Sequence, residues 1–138
     1  MICLDTNILA RYYVDDEQDS EAQKQHSAAK KLIESGQALK VSKTVMLEFE
    51  WVLRGYYQFG AGDIASVFRH LLSMDHIVVE SRQELERGIT GLEQGLDFAD
   101  ALHHAHYQDC DAMASFDDRR FARRVKKLGL TPRIMVLK

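Results

Sequence analysis

Only one proline, Pro132, occurs in the 138 residues, and only two cysteines, Cys3 and Cys110. Two thiols so far apart offer neither a CxxC metal spacing nor a disulfide framework, as expected of reduced thiols in a cytoplasmic protein. No apolar run is long enough to span a bilayer. The start, MICLDTN, carries no basic region followed by a long apolar stretch, so neither an anchor nor an export signal is predicted. There is no GxxxxGK[ST] phosphate loop, and Gly60 and Gly62 lack both a strand immediately before them and a third glycine. Nucleotide cofactors are therefore disfavoured. Internal repeats and low-complexity tracts are absent too. With 46% apolar and 28% charged residues, the composition is that of a folded chain and excludes disorder as the main state. The length suits one domain, so a single domain over residues 1–138 with no linker is expected.

What is present is an alternation of short apolar runs with amphipathic stretches. Residues 1–4, 39–42, 77–79, 112–116 and 133–137 read as strands. Helices are predicted from Thr6 or Asn7 to about Val14, over 21–33 with Gly36 as C-cap, and from Thr44 through Tyr56. Others run from after Gly62 to Leu72, over 83–92 with Gly95 as the stop, and over 97–107 and 120–127. In the third of these, Val45, Phe49, Val52 and Tyr56 recur at helical spacing. Strands alternating with helices predict an α/β fold, a three-layer α/β/α sandwich around a central parallel sheet. Ligands of such sheets bind beyond the carboxyl ends of the strands.

Four acidic stations lie beside these apolar runs: Asp5, Glu48, Asp97 with Asp100, and Asp117 with Asp118. A carboxylate in apolar surroundings loses roughly several kcal/mol of hydration unless protons, cations or a metal neutralise it. Asp5 ends a strand, and Thr6 or Asn7 can cap the following helix, which leaves Asp5 for metal ligation. On a helical wheel Glu48 falls between Trp51 and Val52, whereas Glu50 lies beside Arg54 and has a partner there. Glu48 is therefore the better ligand. Asp97 and Asp100 share a face with His104, opposite Phe98, Ala101, Leu102 and Ala105. The DxxD spacing also fits a helix cap, so Asp97 reads mainly as the cap and Asp100 as the ligand. Of Asp117 and Asp118, one can ligate metal or orient water while the other caps a helix, and Ser115 can hydrogen-bond a carboxylate from behind. The histidines His103, His104 and His106 would suit a transition metal. Oxygen-only ligands point instead to Mg²⁺ or Mn²⁺.

The net charge of −3 is unevenly placed. Arg119, Arg120, Arg123, Arg124, Lys126, Lys127, Arg133 and Lys138 follow the last acidic pair with no further Asp or Glu. Such a stretch is either a solvated helix face or an edge that draws a polyanion towards an acidic pocket.

LDTNILAR, LEFEWVL, LDFADALHHA and SFDDRRFARRVKKLGL, in this order over nearly the whole chain, resemble a PIN domain, and specifically a VapC-type toxin. The resemblance implies a ribonuclease dependent on Mg²⁺ or Mn²⁺ that cleaves tRNA or another structured RNA and is neutralised by a cognate antitoxin. It places the catalytic and metal-binding carboxylates on Asp5, Glu48, Asp100 and Asp117, with Asn7, Ser115, Asp97 and Asp118 in supporting positions. Arg119, Arg120, Arg123 and Arg124 would face RNA. A homodimer is implied, and Tyr12, Tyr13, Trp51, Tyr56, Tyr57 and Phe59 are candidates for its face, for an antitoxin groove, or for the core. A phosphatase with Asp5 as nucleophile would need a second Asp where Asn7 stands. The same acidic cluster would also suit a DNA nuclease or a catalytically silent interaction module.

Overall fold

In the computed structural model, which describes residues 1–138, the short apolar runs pair as parallel strands. Ile2–Cys3 (β1), Leu39–Val41 (β2) and Ile77–Val79 (β3) form one sheet in the order β1-β2-β3, with Ile2 opposite Leu39 and Leu39 opposite Ile77. Leu39 and Val41 are buried, as a strand packed by crossover helices requires. Helices Thr6–Tyr13 (α1), Ser20–Ile33 (α2), Lys43–Trp51 (α3) and Ala61–Leu72 (α4) make the connections. Together these form a unit spanning Met1–Ser81. Its core is Leu9, Ile33, Met46, Phe49, Leu53, Ile64, Phe68 and Leu71, all fully buried, with the Phe49 and Phe68 rings 5.7 Å apart.

The buried stripe of α3 differs from the predicted one. Met46, Phe49, Glu50 and Leu53 face inward, whereas Tyr56 is 77% exposed. Two physical causes account for this. Arg54 Nε donates to Glu50 Oε1 at 2.8 Å, which lets a carboxylate occupy an inner position. After Trp51 the chain also continues as a π-helical turn, Val52–Tyr56, whose wider repeat breaks the 3.6-residue period.

The unit Arg82–Lys138 contains helices Arg82–Glu93 (α5), Phe98–His106 (α6) and Arg123–Leu128 (α7). Strands Ala112–Ser115 (β4) and Arg133–Val136 (β5) pair in parallel, Ala112 opposite Arg133. A second π-helical turn, Asp118–Ala122, leads into α7. Leu96, Ala101, Phe121 and Val125 form the core here, with Met113, Leu128, Leu130 and Ile134 against it. His104 belongs to this core rather than to the face of Asp97 and Asp100. It is 4% exposed, its Nε2 lies 2.6 Å from the Pro132 carbonyl oxygen, and its ring stands edge-on to Phe121. A backbone acceptor inside the core lets a ring that the helical wheel placed outward be buried.

The mixed α/β architecture with parallel strands predicted from the alternation is the one observed. No helix is long and apolar enough to cross a membrane.

Helices α5 and α6 meet closely because Gly91 has no side chain: a Cβ there would stand 2.7 Å from Ala101 Cβ and 3.2 Å from Leu96 Cδ1. Gly91→Ala is expected to destabilise the protein by about 1–3 kcal/mol through overpacking. Gly62→Ala, in the first turn of α4 with nothing within 4 Å of the added Cβ, is expected to stabilise by about 0.4–1 kcal/mol. Urea unfolding of the two variants beside wild type measures both.

Candidate active site

Each unit carries its own group of candidate carboxylates. In Met1–Ser81, Asp5 leaves β1 in extended backbone and is itself the N-cap of α1, its Oδ1 accepting from the Thr6 amide at 2.8 Å. This corrects the expectation that Thr6 or Asn7 would cap. Thr6 is already the first helical residue, and a cap must lie one position earlier, where the backbone is still extended. One carboxylate oxygen is thus engaged by the backbone, and Oδ2 receives no hydrogen bond.

Asp5 lines a cleft of about 570 Å³ together with Thr6, Asn7, Glu48, Trp51 and Tyr56. Asp16 and Asp19 add further carboxylates, and Arg11 is the one basic side chain on its walls. Arg11 Nε is bonded to Gln25 Oε1 at 2.7 Å. Glu48 is exposed rather than set within an apolar surface, and it is Glu50, 2% exposed, that is buried. Thr6 is 5% exposed, and its Oγ1 is buried with no hydrogen-bond partner. An orphaned hydroxyl beside a carboxylate with an open oxygen fits a bound hydrated cation. Nothing in the sequence marked this hydroxyl, because Thr6 read as a helix cap.

In Arg82–Lys138, Asp97 caps α6 as predicted, its Oδ1 accepting from the Asp100 amide at 3.1 Å. Asp117 caps the second π-helical turn, accepting from the Arg120 amide at 3.1 Å. Asp118 is therefore not the cap. It lines a separate cleft with Arg123, Lys126 and Arg133. Ser115 Oγ accepts from the Asp117 amide at 3.0 Å, so it orients the backbone of Asp117 and not a carboxylate.

Asp97, Asp100 and Asp117 share a cleft of about 450 Å³ with Arg120 and Arg124. Asp100 is half-buried, and its carboxylate takes part in no hydrogen bond. Burial pushes its pKa up, the charges of Asp97 and Asp117 push it further, and His103 partly offsets them. Of the six candidates only Asp100 is partly withdrawn from water. The others are exposed, so the expected hydration loss is confined to this one residue. Arg124 is held in place by donating from Nη1 to the Gly95 carbonyl oxygen at 2.6 Å. Gly95 has φ +94°, a conformation that favours glycine. Of the four arginines expected to face RNA, Arg120 and Arg124 line the acidic cleft, Arg123 lines the cleft of Asp118, and Arg119 is exposed.

No group of three or more His, Cys, Asp or Glu side chains in either unit stands at metal-ligating spacing. The donor chemistry nonetheless fits a hard divalent cation: the donors are oxygens, and His103 only partly offsets the effect of burial and of Asp97 and Asp117 on Asp100. The PIN domain family model matches residues 2–127, a span that includes all six candidate carboxylates. No curated protein matches the chain.

The raised pKa of Asp100 carries a definite sign. A carboxyl group that holds its proton more tightly when folded gives stability that is complete below the unfolded pKa and lost as pH rises through the folded one. Asp100→Asn removes that loss. Its melting temperature is therefore expected to exceed that of wild type by a margin that opens as pH rises through and above the ordinary aspartate range. Thermal melts of both proteins across acidic to neutral pH, with chelator present, check this.

Proposed function

Because the chain belongs to the PIN domain family, whose members are generally nucleases, we propose that it is a metal-dependent endoribonuclease. In this reading it is the toxin of a toxin–antitoxin pair, it cleaves tRNA or another structured RNA in the cytoplasm, and it works as a homodimer restrained by a cognate antitoxin. The observation that carries the nuclease reading is the meeting of Asp97, Asp100 and Asp117 in one cleft with Arg120 and Arg124, where none of the three carboxylates is ion-paired as Glu50 is with Arg54.

Asp5, Glu48, Asp100 and Asp117 are the residues proposed to hold Mg²⁺ or Mn²⁺. When bound, such an ion lowers the pKa of a coordinated water and neutralises charge on the leaving oxygen. The chain's own groups supply positioning. Asp5 and Asp117 each commit one oxygen to a helix-starting amide, which fixes the carboxylate plane and leaves the second oxygen open. Asp97 holds the start of α6 and so sets where Asp100 stands. Arg120 and Arg124 attract the phosphate backbone, with Arg124 kept in place by its bond to Gly95. His104, bonded to Pro132 in the core, takes no part as a base. Because the family match covers residues of both units, the two are proposed to act as one catalytic domain.

Asp5→Asn and Asp100→Asn are expected to lower RNA cleavage by roughly two orders of magnitude or more while the fold is kept. A chelator should abolish cleavage by wild type, and Mg²⁺ or Mn²⁺ should restore it. Cleavage at the wild-type rate by folded Asp100→Asn sinks the assignment, and preference for DNA strands over RNA of the same sequence overturns the substrate class. Sequencing RNA ends after controlled expression of wild type and of Asp5→Asn identifies the target, through discrete ends made only by wild type.

A further inference from the structure

Trp51 and Tyr56 are large aromatic residues left in the open, 63% and 77% exposed, while Phe49 and Phe68 of the same unit are fully buried. Both exposed rings line the cleft that contains Asp5 and Glu48. The backbone explains why they share it. Residues five apart on an α-helix face different ways, but Val52–Tyr56 is a π-helical turn, closed by the Tyr57 amide on the Val52 carbonyl at 3.2 Å. The i→i+5 closure brings Trp51 and Tyr56 to one side. Tyr57 steadies the second ring by packing against it at 4.8 Å and 80°. Gly55 lines the same cleft, and apart from its chain neighbours nothing lies within 4 Å of where a side chain would be.

We propose that Trp51 and Tyr56 form a base-stacking subsite for the nucleotide presented at Asp5 and Glu48. This rests on the nuclease reading of the same site. Trp51 lies three residues beyond Glu48 on α3, which places their Cβ atoms about 5–6 Å apart, within one nucleotide's reach of a phosphate held at Glu48. Bases in a duplex have both faces covered by their neighbours, so only an unpaired base offers a face to an aromatic ring. The charge on the cleft argues against two occupants, a second copy of this chain and an apolar helix. A second copy of this chain seated here by two-fold symmetry would set Asp5, Asp16, Asp19 and Glu48 against themselves. An apolar partner helix would bury those carboxylates unpaired. Stacking uses the ring faces alone and leaves the carboxylates free for an ion.

Trp51 is the only tryptophan in the chain, so its fluorescence reports on the subsite directly. The probe is single-stranded oligoadenylate, titrated into Asp100→Asn protein so that the strand stays intact, and compared with the same strand annealed to oligouridylate. The single strand is expected to quench Trp51 emission to a plateau, and the duplex to leave it nearly unchanged. Wild type, Trp51→Ala, Tyr56→Ala and Trp51→Phe are then compared in cleavage of single-stranded RNA. Each alanine variant is expected to lose roughly 5- to 150-fold in kcat/KM, and Trp51→Phe no more than about threefold, because any aromatic face can stack. Emission unchanged by the single strand, equal quenching by the duplex, or wild-type cleavage by folded Trp51→Ala each overturns the subsite. A Trp51→Ala protein that cleaves normally but changes oligomeric mass shows the surface to be a protein contact and overturns it too. Should Trp51→Ala fail to fold, the fluorescence titration decides alone. The two readings fail separately: quenching without cleavage by wild type rejects the nuclease and keeps the subsite, whereas cleavage without quenching does the reverse.

Discussion

The first amides of a helix have no carbonyl one turn back to bond, and in this chain aspartates repeatedly fill that vacancy. Asp5, Asp19, Asp97 and Asp117 each accept from an amide at the start of a helix or helical turn. Parallel strands have to be joined by crossovers, and a crossover helix starts soon after its strand ends. A side chain with two equivalent oxygens can serve the amide with one and keep the other open. Capping thereby places Asp5 and Asp117 just past the ends of β1 and β4, the region where open α/β sheets bind ligands. In each unit a candidate carboxylate is thus built on a helix terminus that the fold needs in any case.

Two carboxylates show how differently the chain treats withdrawn charge. Glu50 is almost completely buried, and it is paired with Arg54 on the next turn. Asp100 is only half-buried, yet it has neither a hydrogen bond nor a cationic neighbour strong enough to outweigh Asp97 and Asp117. The first arrangement compensates the buried charge. The second leaves a local conflict, for which the proposed metal-holding role of Asp100 gives a reason. Arg124, tied to Gly95 rather than paired with Asp100, leaves the conflict unresolved.

Much of the fold could be read from residue order. All five strands and the helices between them lie within a few residues of the positions that apolar periodicity and the Gly breaks predicted. Asp97 as cap and Glu50 as the partner of Arg54 followed from spacings of three and four residues, which are local quantities. The departures arose from something non-local, from an altered helical repeat, or from a one-residue shift in where a helix starts. His104 is buried because Pro132, far along the chain, offers its carbonyl oxygen. Tyr56 escapes the stripe of α3 because the helix widens into a π turn, and a wheel drawn at 100° per residue cannot anticipate that. Which of Asp117 and Asp118 is the cap turned on a shift of one residue in where the backbone enters the helical turn.

By itself, then, the amino-acid order determined the α/β alternation, the family and the short list of acidic positions, because these rest on periodicity and on motifs a few residues long. Only the tertiary structure decided which carboxylates keep an open oxygen, which one is half-buried beside like charges, and which aromatics stand in the open. Burial and hydrogen bonding are set by atoms that come from distant parts of the chain, and a linear pattern carries no record of them.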